Sequence, residues 1–277
     1  MRVKARRQEC NMIRDITIGQ YYPTDSVLHR LDPRVKLVGT MVYIISLFVI
    51  NSPYCYILAA ICLFGIIKVS KVPFKFIMKG LKSIVILLLF TVSFNLFLLP
   101  GEEIFRLGFI KITMEGLISS IFMGLRLIFL IIGSSLMTFT TTPNQLTDGL
   151  ETLLAPLNKI KVPVHEISMM MSIALRFIPI LLEETDKIMK AQMARGADFE
   201  SGGLIKRAKG LVPLLVPLFV SAFRRANDLA MAMEARCYRG GVGRTKMKPL
   251  KYRLVDSMAY IMMLLYVGAM IGIDILL

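Results

Sequence analysis

The chain has 277 residues, 55% of them hydrophobic, with a mean hydropathy of +0.64. That is too apolar for a soluble domain of this size, so a bilayer must supply much of the solvent. The formal charge is nonetheless +15, so the charged residues are concentrated where the apolar ones are not, and their positions along the chain carry the first structural information.

The N-terminal run MRVKARRQEC is basic but has no apolar stretch directly behind it, so it does not read as a cleaved secretory signal and is expected in the cytoplasm. The first apolar region, Leu37 to Ile67, is interrupted at its midpoint by Asn51-Ser52-Pro53, a turn signal. Basic residues flank both of its ends, Arg34 and Lys36 before it and Lys68, Lys71 and Lys75 after it. Both ends therefore belong on the cytoplasmic face, and the region reads as a hairpin of two short helices. Leu81 to Leu99 and Gly116 to Phe139 are each long enough to cross the hydrocarbon core, as is Leu254 to Leu277 with Asp256 and Asp274 at the two interfaces. Lys and Arg number eight in residues 1–36, none in 51–54, five in 68–82, two in 100–116 and eighteen in 140–254, with Arg126 alone inside a span. This alternation predicts five spans, N-terminus in and C-terminus out.

The long basic segment before the last span has helical punctuation. Thr142-Pro143 is an N-cap followed by proline in the first turn, and Lys161-Val162-Pro163 separates a second helix. Three helices are expected, from about Pro143 to Asn158, Val164 to Ala197 and Leu211 to Tyr238, kinked or delimited by Pro179, Pro213 and Pro217. The fold class is thus an all-α integral membrane protein of about five transmembrane helices with a three-helix cytoplasmic domain inserted before the last. Its domains are a cytoplasmic segment 1–36, a four-span membrane domain 37–139, the cytoplasmic domain 140–253 and the last span 254–277.

The second and third cytoplasmic helices end alike. A shift of 41 positions places Ile188, Ala191, Ala194 and Arg195 on Leu229, Ala232, Ala235 and Arg236, and the two ends read QMARGADF, through Asp198 and Phe199, and MEARCYRG. Apolar residues keep helical spacing in both, as in Leu182, Met189 and Met193, or Phe219, Phe223, Ala226, Ala230 and Met233. One face can pack while the tip stays free. Alanine admits a close partner surface, and a guanidinium at the helix end can bind a carboxylate bidentately. The competing reading is that Arg195 and Arg236 only complement the negative ends of their own helix dipoles; their occurrence as a matched pair in a basic domain favours docking.

Ala194-Arg195-Gly196 and Ala235-Arg236-Cys237 resemble the paired motifs of the transmembrane T component of energy-coupling factor transporters, the EcfT/CbiQ-like family, which includes the corresponding subunit of cobalt and nickel importers. Supporting landmarks are Gly19-Gln20-Tyr21-Tyr22-Pro23 through Ser26, His29-Arg30-Leu31-Asp32-Pro33-Arg34 and Lys36, together with Thr142-Pro143 and Arg176-Phe177-Ile178-Pro179. The resemblance covers nearly the whole chain. It implies that the two arginine-tipped coupling helices each engage a groove in one of two cytoplasmic ATPase subunits, while the same domain holds a small membrane subunit that binds a vitamin, cofactor precursor or metal ion. The chain itself would then bind no cofactor, ATP being hydrolysed by its partners. Cys237 stands where the family often has glycine.

Asp32-Pro33 suits a helix start, and Tyr21, Ser26 and His29 read as local scaffold at the interface. Arg126 lies deep in a span, where a charge costs about 2.5–3.5 kcal/mol on insertion scales. It requires a partner: Asn95, backbone carbonyls or an acidic group of a companion subunit. A substrate path and structural pairing both remain open for it, and Arg176 is a further scaffold candidate. Methionines such as Met169-Met170-Met171, Met231 and Met233 suit a surface that repacks against several substrate-binding subunits, or ordinary core packing.

No GxxxxGK[ST] loop is present, and Gly240-Gly241-Val242-Gly243-Arg244-Thr245 lacks the lysine. His29 and His165 form no HExxH pattern, and Cys10, Cys55, Cys62 and Cys237 form no CxxC pair, so no metal site is expected and the thiols read as reduced. A membrane-bound enzyme with a cytoplasmic site is the alternative reading. Nucleic-acid binding is not expected, since anionic headgroups account for basic residues that flank spans.

Overall fold

The computed structural model describes residues 21–49, 52–82, 84–98, 103–107, 110–197, 204–241, 243, 247 and 249–276. Cys10, Gly19, Gln20, Asn51, Leu99, Asp198, Phe199, Val242, Arg244, Thr245 and Leu277, named above, lie outside the described residues. The chain divides into one unit built from Ile18–Leu153 and Pro249–Leu277, and another built on Leu154–Lys248.

In the first unit, a one-turn helix α1 (Val27–Arg30) precedes α2 (Pro33–Val49) and α3 (Pro53–Ser70). The break between α2 and α3 falls at the expected turn: Pro53 occupies the first helical turn of α3, where its missing N–H costs nothing. The third apolar region is divided rather than continuous. A short helix α4 (Phe74–Lys82) leads at a 59° bend into α5 (Val85–Leu98), so the helix proper starts four residues later than the expected Leu81. A two-stranded antiparallel hairpin, β1 (Glu103–Leu107) with β2 (Ile110–Thr113), then delivers the chain to α6 (Met114–Thr140). Thr113 caps α6, its hydroxyl accepting from Gly116 N at 3.1 Å. Helices α7 (Pro143–Leu154) and α10 (Leu254–Leu276) complete the unit.

Helices α3, α6 and α10 are each long and apolar enough to cross a membrane, and α4 with α5 qualify together as one bent span. At 17 residues, or about 25 Å, α2 is shorter. The core has a helical rhythm: Cys55, Ala59 and Leu63 of α3, four apart, meet Tyr43 and Leu47 of α2, Leu136 of α6 and Met270 of α10. Small residues set the closest approaches. A Cβ on Gly133 of α6 would lie 2.7 Å from the Tyr43 ring, which is how helices pack when lipid removes any hydrophobic incentive to do so.

The reciprocal hydrogen bonds of Thr142 and Gln145 (Gln145 N to the Thr142 hydroxyl at 3.3 Å, Thr142 N to Gln145 Oε1 at 3.2 Å) form a capping box at the start of α7. Here the expected N-cap and proline are found. The helix ends earlier than Asn158, because Pro156 follows and the chain continues as a 3₁₀ turn, Ala155–Ile160.

The second unit consists of that turn and two long helices, α8 (Val164–Ala194) and α9 (Leu204–Ala235). Asn158 Oδ1 accepts from Val164 N at 3.3 Å, capping α8 from the preceding turn. Helix α9 begins seven residues before the expected Leu211 and runs through Pro213 and Pro217, as α8 runs through Pro179. The described residues are therefore all-α, as expected, apart from one short hairpin.

Candidate functional site

The two tips share one backbone geometry. Gly196 N donates to Met193 O at 3.0 Å and Ala197 N to Gln192 O at 3.0 Å; 41 positions later Cys237 N donates to Glu234 O at 2.8 Å and Tyr238 N to Met233 O at 3.0 Å. Gly196 (φ +89) and Cys237 (φ +54) both have left-handed backbone. These are two Schellman motifs, in which the residue after the C-cap turns left-handed and the next two N–H groups close back onto the last turn. The arginines are the C-caps, and Ala194, Arg195, Gly196, Ala235, Arg236 and Cys237 are all exposed. The small third residue thus serves backbone conformation. Glycine enters this region freely, whereas any residue with a Cβ does so at a cost of about 1–2 kcal/mol.

Polar contacts between α8 and α9 include an ion pair and a side-chain hydrogen bond to backbone. Glu184 and Arg225 form an ion pair across the helices, both half-buried. Gln192 Nε2 donates to Pro213 O at 3.4 Å. That carbonyl would ordinarily receive the N–H four residues on, but Pro217 has none, so α8 supplies the donor that the α9 sequence lacks. On the far side of the Glu184–Arg225 pair from the Gln192 contact lies an apolar groove of about 300 Å³ lined by residues including Ile173, Phe177 and Leu181 of α8 and Ala226, Leu229 and Met233 of α9. Ala226, Ala230 and Met233 are among the residues whose helical spacing marked a packing face, whereas Phe219 and Phe223 of the same set are exposed. Past the second tip, Gly241 lies so close to His165 that a Cβ there would fall 2.3 Å from the ring. Arg176 is exposed on α8.

In the first unit, the N-terminal landmarks close the end of α6. Its last carbonyls have no intrahelical donors; Tyr22 N donates to Phe139 O at 3.0 Å and Lys36 Nζ to Thr140 O at 2.8 Å, a cation placed at the negative end of the helix dipole. His29 Nε2 lies 3.0 Å from Tyr22 O and its Nδ1 lies 2.7 Å from the Ser26 hydroxyl. A carbonyl can only accept, so Nε2 carries the proton and Nδ1 accepts from Ser26. Desolvation, the largest influence, pushes the His29 pKa down and keeps the ring neutral.

Asp32 caps α2, its Oδ1 accepting from Arg34 N at 2.9 Å. Asp32 N in turn donates to Asp256 Oδ1 at 2.8 Å, while Asp256 Oδ2 accepts from Arg253 N at 2.7 Å. One carboxylate, 1% exposed, therefore fastens the starts of α2 and α10. Arg34 pairs with Asp32 at 3.3 Å, donates to Leu250 O at 2.9 Å and lies over the Tyr252 ring. The Asp32, Arg34, Lys36 and Asp256 cluster is neutral overall, which suits its burial. Pro33, the other half of the start signal, packs beneath Gly149 of α7.

Arg126 is held by the Tyr56 hydroxyl, at 3.1 Å from Nε and 2.9 Å from Nη2, and lies over the Phe48 ring. Tyr56 was not among the partners the sequence pointed to; Asn95 donates to Thr91 O of its own helix. Glu184, Arg225, Gln192 and Asp256 likewise escaped attention as contacts. The 41-residue shift could have found the first two, since it superposes one on the other.

Several apolar helices and a pair of identically finished helix ends define a multi-pass membrane protein with two exposed arginine tips. The family of cobalt transport proteins (CbiQ) matches residues 24–248. The chain is 60% identical over 250 residues to the energy-coupling factor transporter transmembrane protein EcfT of Clostridium kluyveri, covering 90% of this chain and 93% of that protein. It is 55% identical over 249 residues to EcfT of Thermosediminibacter oceani (90% and 94% covered) and 51% over 247 residues to EcfT of Bacillus subtilis (89% and 93%). The chain belongs to this family of energy-coupling factor transporter transmembrane proteins, and as such is a non-catalytic transporter subunit.

Proposed function

We propose that this chain is the T component that transmits force from two cytoplasmic ATPase subunits, identical or paralogous, to a membrane-embedded substrate-binding S component for a vitamin, cofactor precursor or metal ion. The observation that carries the reading is the matched pair of Schellman ends, each presenting an exposed arginine at the C-cap between two small residues. A helix that merely needed its dipole neutralised would not require the same cap, turn and exposure twice. Each tip docks on one ATPase; approach of the ATPases on binding ATP moves α8 and α9, and that movement reorients the substrate-binding subunit. No cofactor is bound by the chain itself. The N-terminus and both tips belong on the cytoplasmic side. Although α8 is long and apolar enough to span, its second half carries Glu183, Glu184, Asp186, Lys187 and Lys190 within eight residues, which hydrocarbon would not accept.

The test is co-purification with the ATPase and substrate-binding subunits, comparing wild type with Arg195→Glu, Arg236→Glu and the double variant. Each single reversal should weaken ATPase capture and the double should abolish it, with the membrane subunit still bound. Full capture by the double variant would reduce the arginines to helix caps.

A further inference from the structure

The contacts between α8 and α9 have a symmetry that the individual bonds do not announce. The 41-residue shift that aligns the two tips also carries Glu184 onto position 225, and Glu184 pairs with Arg225. Equivalent positions of the two helices therefore touch each other. The same shift, applied to both members of the Gln192–Pro213 contact, gives positions 233 and 172; Met233 and the adjacent Ile173 line opposite sides of the groove. Moving from Glu184 towards one tip brings residues of the other helix that lie farther from its own tip, so the pair is antiparallel. Its centre is where a residue meets its own counterpart, at Glu184 and Arg225. Ala194 lies ten positions after Glu184, and Ala235 ten after Arg225, about 15 Å of helix on each side.

We propose that the Glu184–Arg225 pair is the fulcrum of two equal arms: a positioning contact that fixes where the helices cross, so that the tips keep a set separation and move together. This rests on the force-transmitting reading above. Apart from the long Gln192–Pro213 hydrogen bond towards one end, the contact surface is apolar and poor at fixing register. The groove is lined by Ala222, Ala226, Ala230, Leu229 and Met233, small or flexible residues over which a helix can slide, and methionine specifies packing weakly. A guanidinium–carboxylate pair is directional and tolerates no slip of a turn. Placed at the centre it leaves both arms the same length; placed elsewhere it would give one tip more travel than the other.

The experiment uses the full chain with nitroxide labels at the equivalent exposed positions Ala191 and Ala232, in a background lacking Cys10, Cys62 and Cys237, read by pulsed electron-spin distance measurement in nanodiscs. The wild-type charges should give one narrow distance. Glu184→Arg should broaden the distribution, Glu184→Gln should broaden it less, and the exchanged pair Glu184→Arg with Arg225→Glu should narrow it again, as coupled residues do in a double-mutant cycle. In the complex with its ATPases, the single reversal should keep the ATPases bound but lose a defined ATP-induced shift, which the exchanged pair regains. Unchanged width in Glu184→Arg, or no recovery in the exchanged pair, overturns the fulcrum. Loss of ATPase capture in the single reversal also overturns it, since the pair would then be a folding contact. Failure of the wild-type chain to capture ATPases is a separate result: it removes the force-transmitting reading, whatever the distances show.

Discussion

Replacing Gly196 by alanine adds one methyl group to open space, since no atom lies within 4 Å of where it would go. Its whole cost is therefore in the backbone. At φ +89 the residue lies beyond the left-handed well near +57° that L-residues can reach, so the penalty belongs near the top of the range, about 2 kcal/mol. Alanine also restricts the unfolded chain, returning about 0.4–1 kcal/mol. The net loss of about 1–1.5 kcal/mol acts on the final turn of α8, and corresponds to roughly tenfold more opening of that turn. Cys237 has φ +54, close to the well, so Cys237→Gly should gain about 1 kcal/mol less whatever flexibility glycine returns to the unfolded state. Amide hydrogen exchange resolved to the tip segments reads both. Exchange at Gly196 and Ala197 should accelerate by roughly tenfold in Gly196→Ala, and exchange at 237 and 238 should slow by at most about threefold in Cys237→Gly. Equal exchange at the two tips in all variants would refute the left-handed cap as the reason a small residue follows each arginine.

Asp256→Ala would leave the N–H groups of Asp32 and Arg253 without their acceptor and the buried cluster with excess positive charge, and should destabilise the membrane unit by about 3–5 kcal/mol; Asp256→Asn, which keeps an acceptor, should lose less, and thermal unfolding in detergent would show the order. Gly241→Ala would force a methyl into the His165 ring and should cost about 1–3 kcal/mol, but little in a His165→Ala background, as a double-mutant cycle would reveal. His29 has its folded pKa depressed by desolvation, so the unfolded chain takes up a proton first as pH falls. The stability it contributes is complete above about 6.5 and is lost as pH falls through the lower folded value. The unfolding midpoint should drop between pH 7.5 and 5.5 in wild type, and less in His29→Gln.

The features legible in the sequence were those encoded by neighbours. Ser52-Pro53 marked the hairpin, Thr142-Pro143 a capped start, and the 41-residue shift two like ends, because turn and cap chemistry is local. The bend between α4 and α5 was hidden inside one apolar run, which hydropathy cannot divide. Prolines 213 and 217 pointed to a later start for α9, because the compensating donor, Gln192, belongs to another helix. The partners Asp32 with Asp256, 224 residues apart, and Arg126 with Tyr56, 70 apart, leave no periodic trace. Arg195 and Arg236 were legible as a pair, whereas the left-handed turn that presents them depends on a backbone angle that cysteine does not advertise.

The equal spacing from crossing point to tip also bears on how this gene can vary. A residue gained or lost outside the two helices changes nothing in the arms. One lost between Glu184 and Arg195 would rotate that guanidinium by about 100° around the helix and draw it in by about 1.5 Å, facing it away from whatever its counterpart still meets. Length variation in this stretch should therefore be eliminated more strictly than substitution, and any tolerated change of length should come in multiples that restore the facing direction, or in both helices at once.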